Sequence, residues 1–326
     1  MYIEDLKFSL WADFIERDYL DNEFKELIEK KIINGATSNP AIFKSAILNS
    51  SAYKEQIEAL GDKTPKEKYE AIAIYDITKA ADILRELYDA GDDGYVSIEV
   101  DPTLCDDAKA TISEGKRLFK EINRPNVMIK VPATQAGYEA MEELTSVGIP
   151  VNATLIFKKE QALASANAFK RGSYKYNKKV DTVISIFVSR IDRALDATLA
   201  QKGVAVGMSG IYNAAAIYAQ IEQMQVAGCR ALFASTGVKD DTLAADYYIE
   251  KLLAYNSVNT APVDTIMAFT KNSETAPSLP IAKEVLDAHF EKVAAAGVDF
   301  DAILEQQIAD GLVAFKDAFA EIMEAL

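Results

Sequence analysis

The sequence is poor in the side chains that most often carry chemistry. It holds one histidine (His289), one tryptophan and two cysteines, Cys105 and Cys229. With a single histidine, histidine triads and histidine-ligated zinc or iron sites have no basis, so acid–base work must fall to carboxylates, lysine or bound water. His289 lies in the charged helical pattern KEVLDAHFEKV and is expected on a helix surface. The cysteines stand far apart without metal-ligand spacing, so no disulfide framework and no metal site are expected. Positive charge is also scarce: 35 Lys and Arg face 50 Asp and Glu, a net charge of −15. No basic stripe exists to neutralise phosphates, which excludes the usual footprint of a nucleic-acid partner. An anionic substrate would need a few local cations working against the overall field. No stretch reaches the roughly 18 uninterrupted apolar residues that a membrane span requires. The opening MYIEDLKFSLWADF carries acidic residues where a signal peptide needs basic ones. No membrane partner is expected, and the cytoplasm is the default location.

What is present is ordinary in bulk and informative in pattern. The 326 residues are 49% apolar and 26% charged, and no Pro- or Gly-rich linker divides them, so one domain over 1–326 is expected. Short apolar runs alternate with segments of helical period, the signature of βα units on a parallel sheet. Strands are expected near 7–13, 32–36, 95–100, 126–131, 150–156, 180–188, 230–235 and 263–268. Eight such strands predict an α/β fold, a single (β/α)8 TIM barrel with extra helices. The segment from about 38 to 92 is too long for one crossover and should hold two helices. The acidic, amphipathic stretch 281–326 is expected to pack outside the barrel as C-terminal helices. GVAVGMSG (203–210) superficially resembles a dinucleotide loop, but it follows a helix pattern and so fails the strand–loop–helix context.

Side chains on a strand alternate faces, and barrel enzymes collect their reacting groups at the C-terminal strand ends. That parity groups Glu99 with Ser97, Asn152 with Thr154, and Lys130 with Met128. Ser185 falls opposite Ile184 and Ile186, while Val151, Ala153 and Leu155 take the helix-facing side. Strand 1 ends in Asp13 and strand 7 in Ser235. One polar residue inside a barrel is usually plain packing, but several at one mouth would satisfy each other or a ligand. Lys130 interrupts the β-branched run NVMIKVPAT (126–134), and lysine is rarely buried without compensation. Two readings stay open: an ion pair with Asp13 or Glu99, or a Schiff-base nucleophile. A free lysine is neutral in only about 0.04% of molecules at pH 7, so a nucleophile needs help from its surroundings.

Four stretches together resemble the transaldolase family: GATSNPAIF (35–43), IKVPAT (129–134), VNATLIF (151–157) and ISIFVSRIDR (184–193). Their order and spacing agree over nearly the whole chain. The lysine- and arginine-bearing motifs are shared with small aldolases of the same superfamily; GATSNP and SIEVDP are more specific to transaldolases. The resemblance implies an enzyme without cofactor or metal, acting on small sugar phosphates as a monomer or homodimer. It would belong to the non-oxidative pentose phosphate pathway, moving a dihydroxyacetone unit from sedoheptulose 7-phosphate to glyceraldehyde 3-phosphate. It further implies that Lys130 forms the Schiff base and that Asp13 takes the C4 hydroxyl proton. Glu99 would work through a water held by Thr154, and Asn39 and Asn152 would hold the dihydroxyacetone hydroxyls, with Ser185 nearby in the substrate site. Arg190 would grip the phosphate. Many transaldolases carry a second arginine after strand 7, where this chain reads ASTGVKD (234–240), so Ser235 and Lys239 are expected to complete the phosphate site. Two other readings fit the same residues. One is an aldolase releasing dihydroxyacetone, which tends to carry Gln at position 99 and Tyr at 187, where this chain has Glu99 and Phe187. The other is a barrel that binds phosphosugars without catalysis; a metal-dependent aldolase is a weaker third.

Overall fold

Eight strands run parallel and close on themselves in sequence order. They are Ser9–Ala12 (β1), Gly35–Thr37 (β2), Tyr95–Glu99 (β3), Val127–Pro132 (β4), Val151–Ile156 (β5), Thr182–Phe187 (β6), Cys229–Ala234 (β7) and Ser257–Ala261 (β8). The computed structural model describes residues 2–239, 242–271 and 275–326. It is the expected (β/α)8 barrel. The alternation that announced it now divides the core in two. Trp11, Met128, Val183, Leu232 and Val258 fill the barrel interior. Their neighbours Leu10, Ile129, Val131, Ile184 and Ala231 face the surrounding helices. Each large aliphatic chain so buried contributes about 1.5–3 kcal/mol. Gly35 is glycine because a Cβ there would lie 2.5 Å from Trp11 Nε1.

Three expectations fail, each for a physical reason. The run 263–268 is not a strand: it falls in the helix Val263–Phe269, and β8 is the preceding Ser257–Ala261. Short apolar runs do not distinguish buried strand from buried helix, and Pro262 ends the ladder and starts the helix. The 38–92 segment holds four α-helices rather than two: Pro40–Asn49, Lys54–Ala59, Pro65–Ile83 and Arg85–Asp89. His289 is 6% exposed, not a surface residue. Leu286, His289 and Val293 form the buried face of Lys283–Ala295, which packs on the helix Ser209–Met224. There His289 Nε2 lies 2.9 Å from Ser209 Oγ, and burial holds its imidazole below the usual range.

The C-terminal helix Phe300–Ala325 also departs from its expected place. Asp299 caps it by accepting from Ala302 N at 3.1 Å. Its buried residues Leu304, Gly311, Phe315, Phe319 and Ile322 form one helical face. That face contacts β5 and the helices Pro40–Asn49, Pro65–Ile83 and Ser189–Gln201, so the helix crosses the C-terminal mouth of the barrel. Gly311 permits the crossing, since a Cβ there would sit 2.9 Å from Leu155 Cδ2.

Candidate active site

Beneath that helix lies a cavity of about 400 Å³. Lys130 rises into it from β4 and is 4% exposed. Its Nζ donates to the Ser38 carbonyl at 3.0 Å and stands 3.7 Å from Glu99 Oε2, while the Phe315 ring covers it at 5.9 Å. Glu99 and Lys130 are direct partners in the β3–β4 register, which brings the two together. Neither Glu99 oxygen has a hydrogen-bond partner within the chain, and neither has the buried hydroxyl of Thr154. Burial pushes the Glu99 carboxyl up to about 7, with Lys130 pulling it back and Asp13 adding to the rise. A buried carboxyl of that kind exchanges protons near neutral pH.

Asp13 follows β1, its N–H donating to Ala261 O at 2.8 Å, and lines the cavity. Thr37 donates to Asp13 Oδ1 at 2.7 Å, so the Thr260 hydroxyl, 2.6 Å from Thr37 Oγ1, donates in turn to Thr37. One oxygen of Asp13 is thereby fixed. Asn152 is fully buried below: it accepts from Ser185 Oγ at 2.7 Å and donates to Ser97 Oγ at 3.1 Å. Asn39 caps the helix Pro40–Asn49, its Oδ1 accepting from Ile42 N, and lines the cavity. Capping uses its oxygen and leaves the amide N–H groups for a ligand.

At the rim, the helix Ser189–Gln201 carries Arg190, which stacks over Phe187 with its guanidinium carbon 5.1 Å from the ring centre. Phe187 in turn packs on Phe157 at 5.3 Å. Ser235, 3.0 Å from Ser189 Oγ, and exposed Lys239 line the same side. Ser235 holds φ of +54°, a left-handed conformation costing about 1–2 kcal/mol in a residue with a Cβ. Asp13, Asn39, Lys130, Ser185, Phe187, Arg190, Ser235 and Lys239 therefore line one cavity, while Glu99, Asn152 and Thr154 are buried and do not line it.

Sequence reasoning missed several members of this site. Thr37 and Ser38 stood inside the GATSNP stretch, where only Asn39 was singled out, and no side-chain pattern announces Ser38's backbone carbonyl. Phe315 was hidden because its helix was expected elsewhere. Leu155 was assigned to the helix-facing side. Instead the β5–β6 register shifts between Ala153 and Ile156, Leu155 takes φ of +59°, and its side chain joins the interior cluster below the C-terminal helix. Gln161 holds this bulge, donating to Leu155 O at 3.1 Å and accepting from Phe157 N at 3.0 Å.

Among the described residues no group of three or more His, Cys, Asp and Glu side chains is placed to hold a metal ion, and no helix is long and apolar enough to cross a membrane. The Transaldolase/Fructose-6-phosphate aldolase family profile matches residues 10–326. A transaldolase of Helicobacter pylori (strain Shi470) is 43% identical over 320 residues, covering 98% of this chain and 99% of that protein. A transaldolase of Campylobacter jejuni subsp. doylei is 45% identical over 330 residues, with the same coverage of both. With its lysine-bearing barrel and these relatives over nearly its whole length, the chain belongs to the transaldolase and fructose-6-phosphate aldolase family.

Proposed function

We propose that the protein is a transaldolase that moves a dihydroxyacetone unit from sedoheptulose 7-phosphate to glyceraldehyde 3-phosphate, giving erythrose 4-phosphate and fructose 6-phosphate in the non-oxidative pentose phosphate pathway. The observation that carries this reading is Lys130: an amine buried at the floor of a cavity, 3.7 Å from a carboxyl that titrates near pH 7. Lys130 Nζ attacks the ketose carbonyl to form a carbinolamine. Glu99, through a water held by Thr154, delivers the proton that lets hydroxide leave as water, and the iminium remains. Asp13 takes the C4 hydroxyl proton, the C3–C4 bond breaks, and its electron pair moves into the iminium to make an enamine. The aldose phosphate departs. The enamine, held by Asn39, Asn152 and Ser185, then adds to the incoming aldehyde by the same steps reversed. Arg190, Ser235 and Lys239 hold the phosphate, the guanidinium meeting its oxygens in a fork.

Two features favour transfer over simple aldol cleavage: Glu99 in place of Gln, and Phe187 in place of Tyr. The test is borohydride reduction in the presence of fructose 6-phosphate, followed by peptide mass analysis. A dihydroxyacetone-derived increment on the Lys130 peptide is expected. An unmodified peptide overturns the reading in favour of a phosphosugar-binding barrel. Release of free dihydroxyacetone without an added aldose acceptor would instead identify an aldolase.

A further inference from the structure

Arg193 lines the cavity beside Arg190, one helical turn farther from the strand end and exposed where Arg190 is half-buried. The two guanidiniums lie close enough that Arg193 disfavours the charge on Arg190. Three costs accumulate here. The arginines repel each other at i,i+3 spacing. Both lie near the N-terminal end of the helix Ser189–Gln201, where the backbone dipole disfavours positive charge. Burial adds a desolvation penalty for Arg190. Among the described residues no carboxylate forms an ion pair with Arg190, Arg193 or Lys239; Asp13 and Asp310 act on Arg190 only from farther off. Asp192, between the two arginines in sequence, is no counter-ion for them, because it turns inward to accept from Gly210 N at 2.7 Å and Tyr248 Oη at 2.9 Å. In a chain of net charge −15, three cations lining one cavity without an ion-paired carboxylate among the described residues are not a product of composition.

We infer that Arg193 is a second guanidinium of the anion site, a specificity-determining residue that makes the cavity prefer a dianionic phosphoryl group to a neutral hydroxyl end. The inference rests on the proposed sugar-phosphate chemistry at Lys130. No arginine follows β7, where the chain reads Ser235–Thr236–Gly237, and Gly237 packs against Pro262. Arg193 reaches the same wall from the neighbouring helix and supplies the charge from there.

The experiment is Arg193→Gln, with Arg193→Lys as the conservative variant, at fixed ionic strength. Inorganic phosphate serves as the competitive probe. Charge-assisted hydrogen bonds carry roughly 1.5–3 kcal/mol, and exposure of the guanidinium discounts that toward the roughly 1 kcal/mol of an exposed pair, so KM for fructose 6-phosphate and Ki for phosphate should both rise about 3- to 10-fold in Arg193→Gln. Arg193→Lys should recover part of the loss, and KM for unphosphorylated D-glyceraldehyde should move less than about twofold, since no phosphoryl group is there to lose a charge-assisted partner. Arg193 is an exposed helix residue, so Gln should fold normally, which the melting temperature verifies. If KM and Ki stay within about twofold while borohydride still tags Lys130, Arg193 lies outside the site. If Lys130 of the unsubstituted protein is not tagged, the proposed chemistry fails instead.

Discussion

The two ends of the barrel treat buried charge in opposite ways. At the N-terminal end, Arg230 donates twice to Asp93, at 2.6 and 3.2 Å, and Trp11 Nε1 donates to the same carboxylate at 3.0 Å. Tyr95 Oη donates to Asp181 at 3.0 Å, and Lys179 pairs with Asp181 at 2.8 Å. Charge there is matched, oxygen by donor. At the C-terminal end Glu99 has no hydrogen-bond partner and only Lys130 at 3.7 Å, Lys130 is bonded to a neutral carbonyl, and among the described residues the rim arginines have no ion-paired carboxylate. A buried polar group left without a partner costs about 1–3 kcal/mol, more if charged. The lower end pairs its buried charges, although Asn34 Oδ1, Asn126 Oδ1 and Thr182 Oγ1 at the strand starts lack partners. The upper end gives up some stability to hold groups that a substrate will satisfy.

The largest test of that contrast is Lys130→Met, which removes the nucleophile while preserving its stem. Turnover should fall to background, a loss on the order of 10⁶-fold or more, the low end of enzymic rate enhancement. Residual turnover above about 1% would place the chemistry elsewhere. Next is Glu99→Gln, nearly isosteric, for which kcat should fall by about 10²–10⁴-fold, the share of a positioned acid–base group.

Glu99→Gln also carries a sign that can be worked out. The folded carboxyl titrates near 7 against an ordinary value of 4.5, so the native state binds more protons than the unfolded chain between those limits. Its stabilising contribution is complete below about pH 4.5 and is lost as pH rises through 7. Asp192, also raised to about 7 by burial, adds a slope of the same sign. Glu99→Gln should therefore gain stability relative to the parent between pH 5 and pH 8, by up to a few kcal/mol. Thermal melts at both pH values check this, and a variant that loses relative stability as pH rises contradicts it. At the opposite end, Arg230→Met leaves Asp93 buried without its counter-ion, held only by the Trp11 N–H, and should cost about 3–5 kcal/mol by denaturant titration. Its kcat per folded molecule should stay near the parent's. A matching fall in kcat would mean that the two ends are coupled and the contrast is false.

How much of this was legible depended on which interaction decided each element. β3 to β7 were visible because both faces are buried and their runs are rich in Val, Ile and Phe. β8 was not, because SVNTA turns Asn259 and Thr260 toward polar partners and carries little apolar signal, while VDTIMAF mimics a strand. Strict alternation placed Lys130, Glu99 and Asn152 but failed at Leu155, where Gln161 stabilises a bulge that only tertiary contacts reveal. The C-terminal helix was recognisable as a helix, yet the surface it covers depends on Gly311 meeting Leu155, a contact between residues far apart in sequence. Arg193 stood in plain view within ISIFVSRIDR; its importance appears only once the surrounding carboxylates are seen to be absent or engaged.

The smallest expected effect belongs to Lys239→Ala. Lys239 is exposed, so water screens its charge and its long stem must be ordered to reach a ligand. Exposed charge pairs are worth about 0.2–1 kcal/mol, which corresponds to a KM for fructose 6-phosphate raised by about 1.5- to 5-fold at low salt. The effect should vanish near 1 M salt, where the Debye length shrinks to about 3 Å. The loss from Arg190→Gln should persist there, because a half-buried guanidinium stacked on Phe187 is shielded from the salt. Titrating KM against ionic strength for both variants thus ranks the rim cations by depth. An unchanged KM for Lys239→Ala at low salt would remove Lys239 from the phosphate site and leave the arginines to hold it.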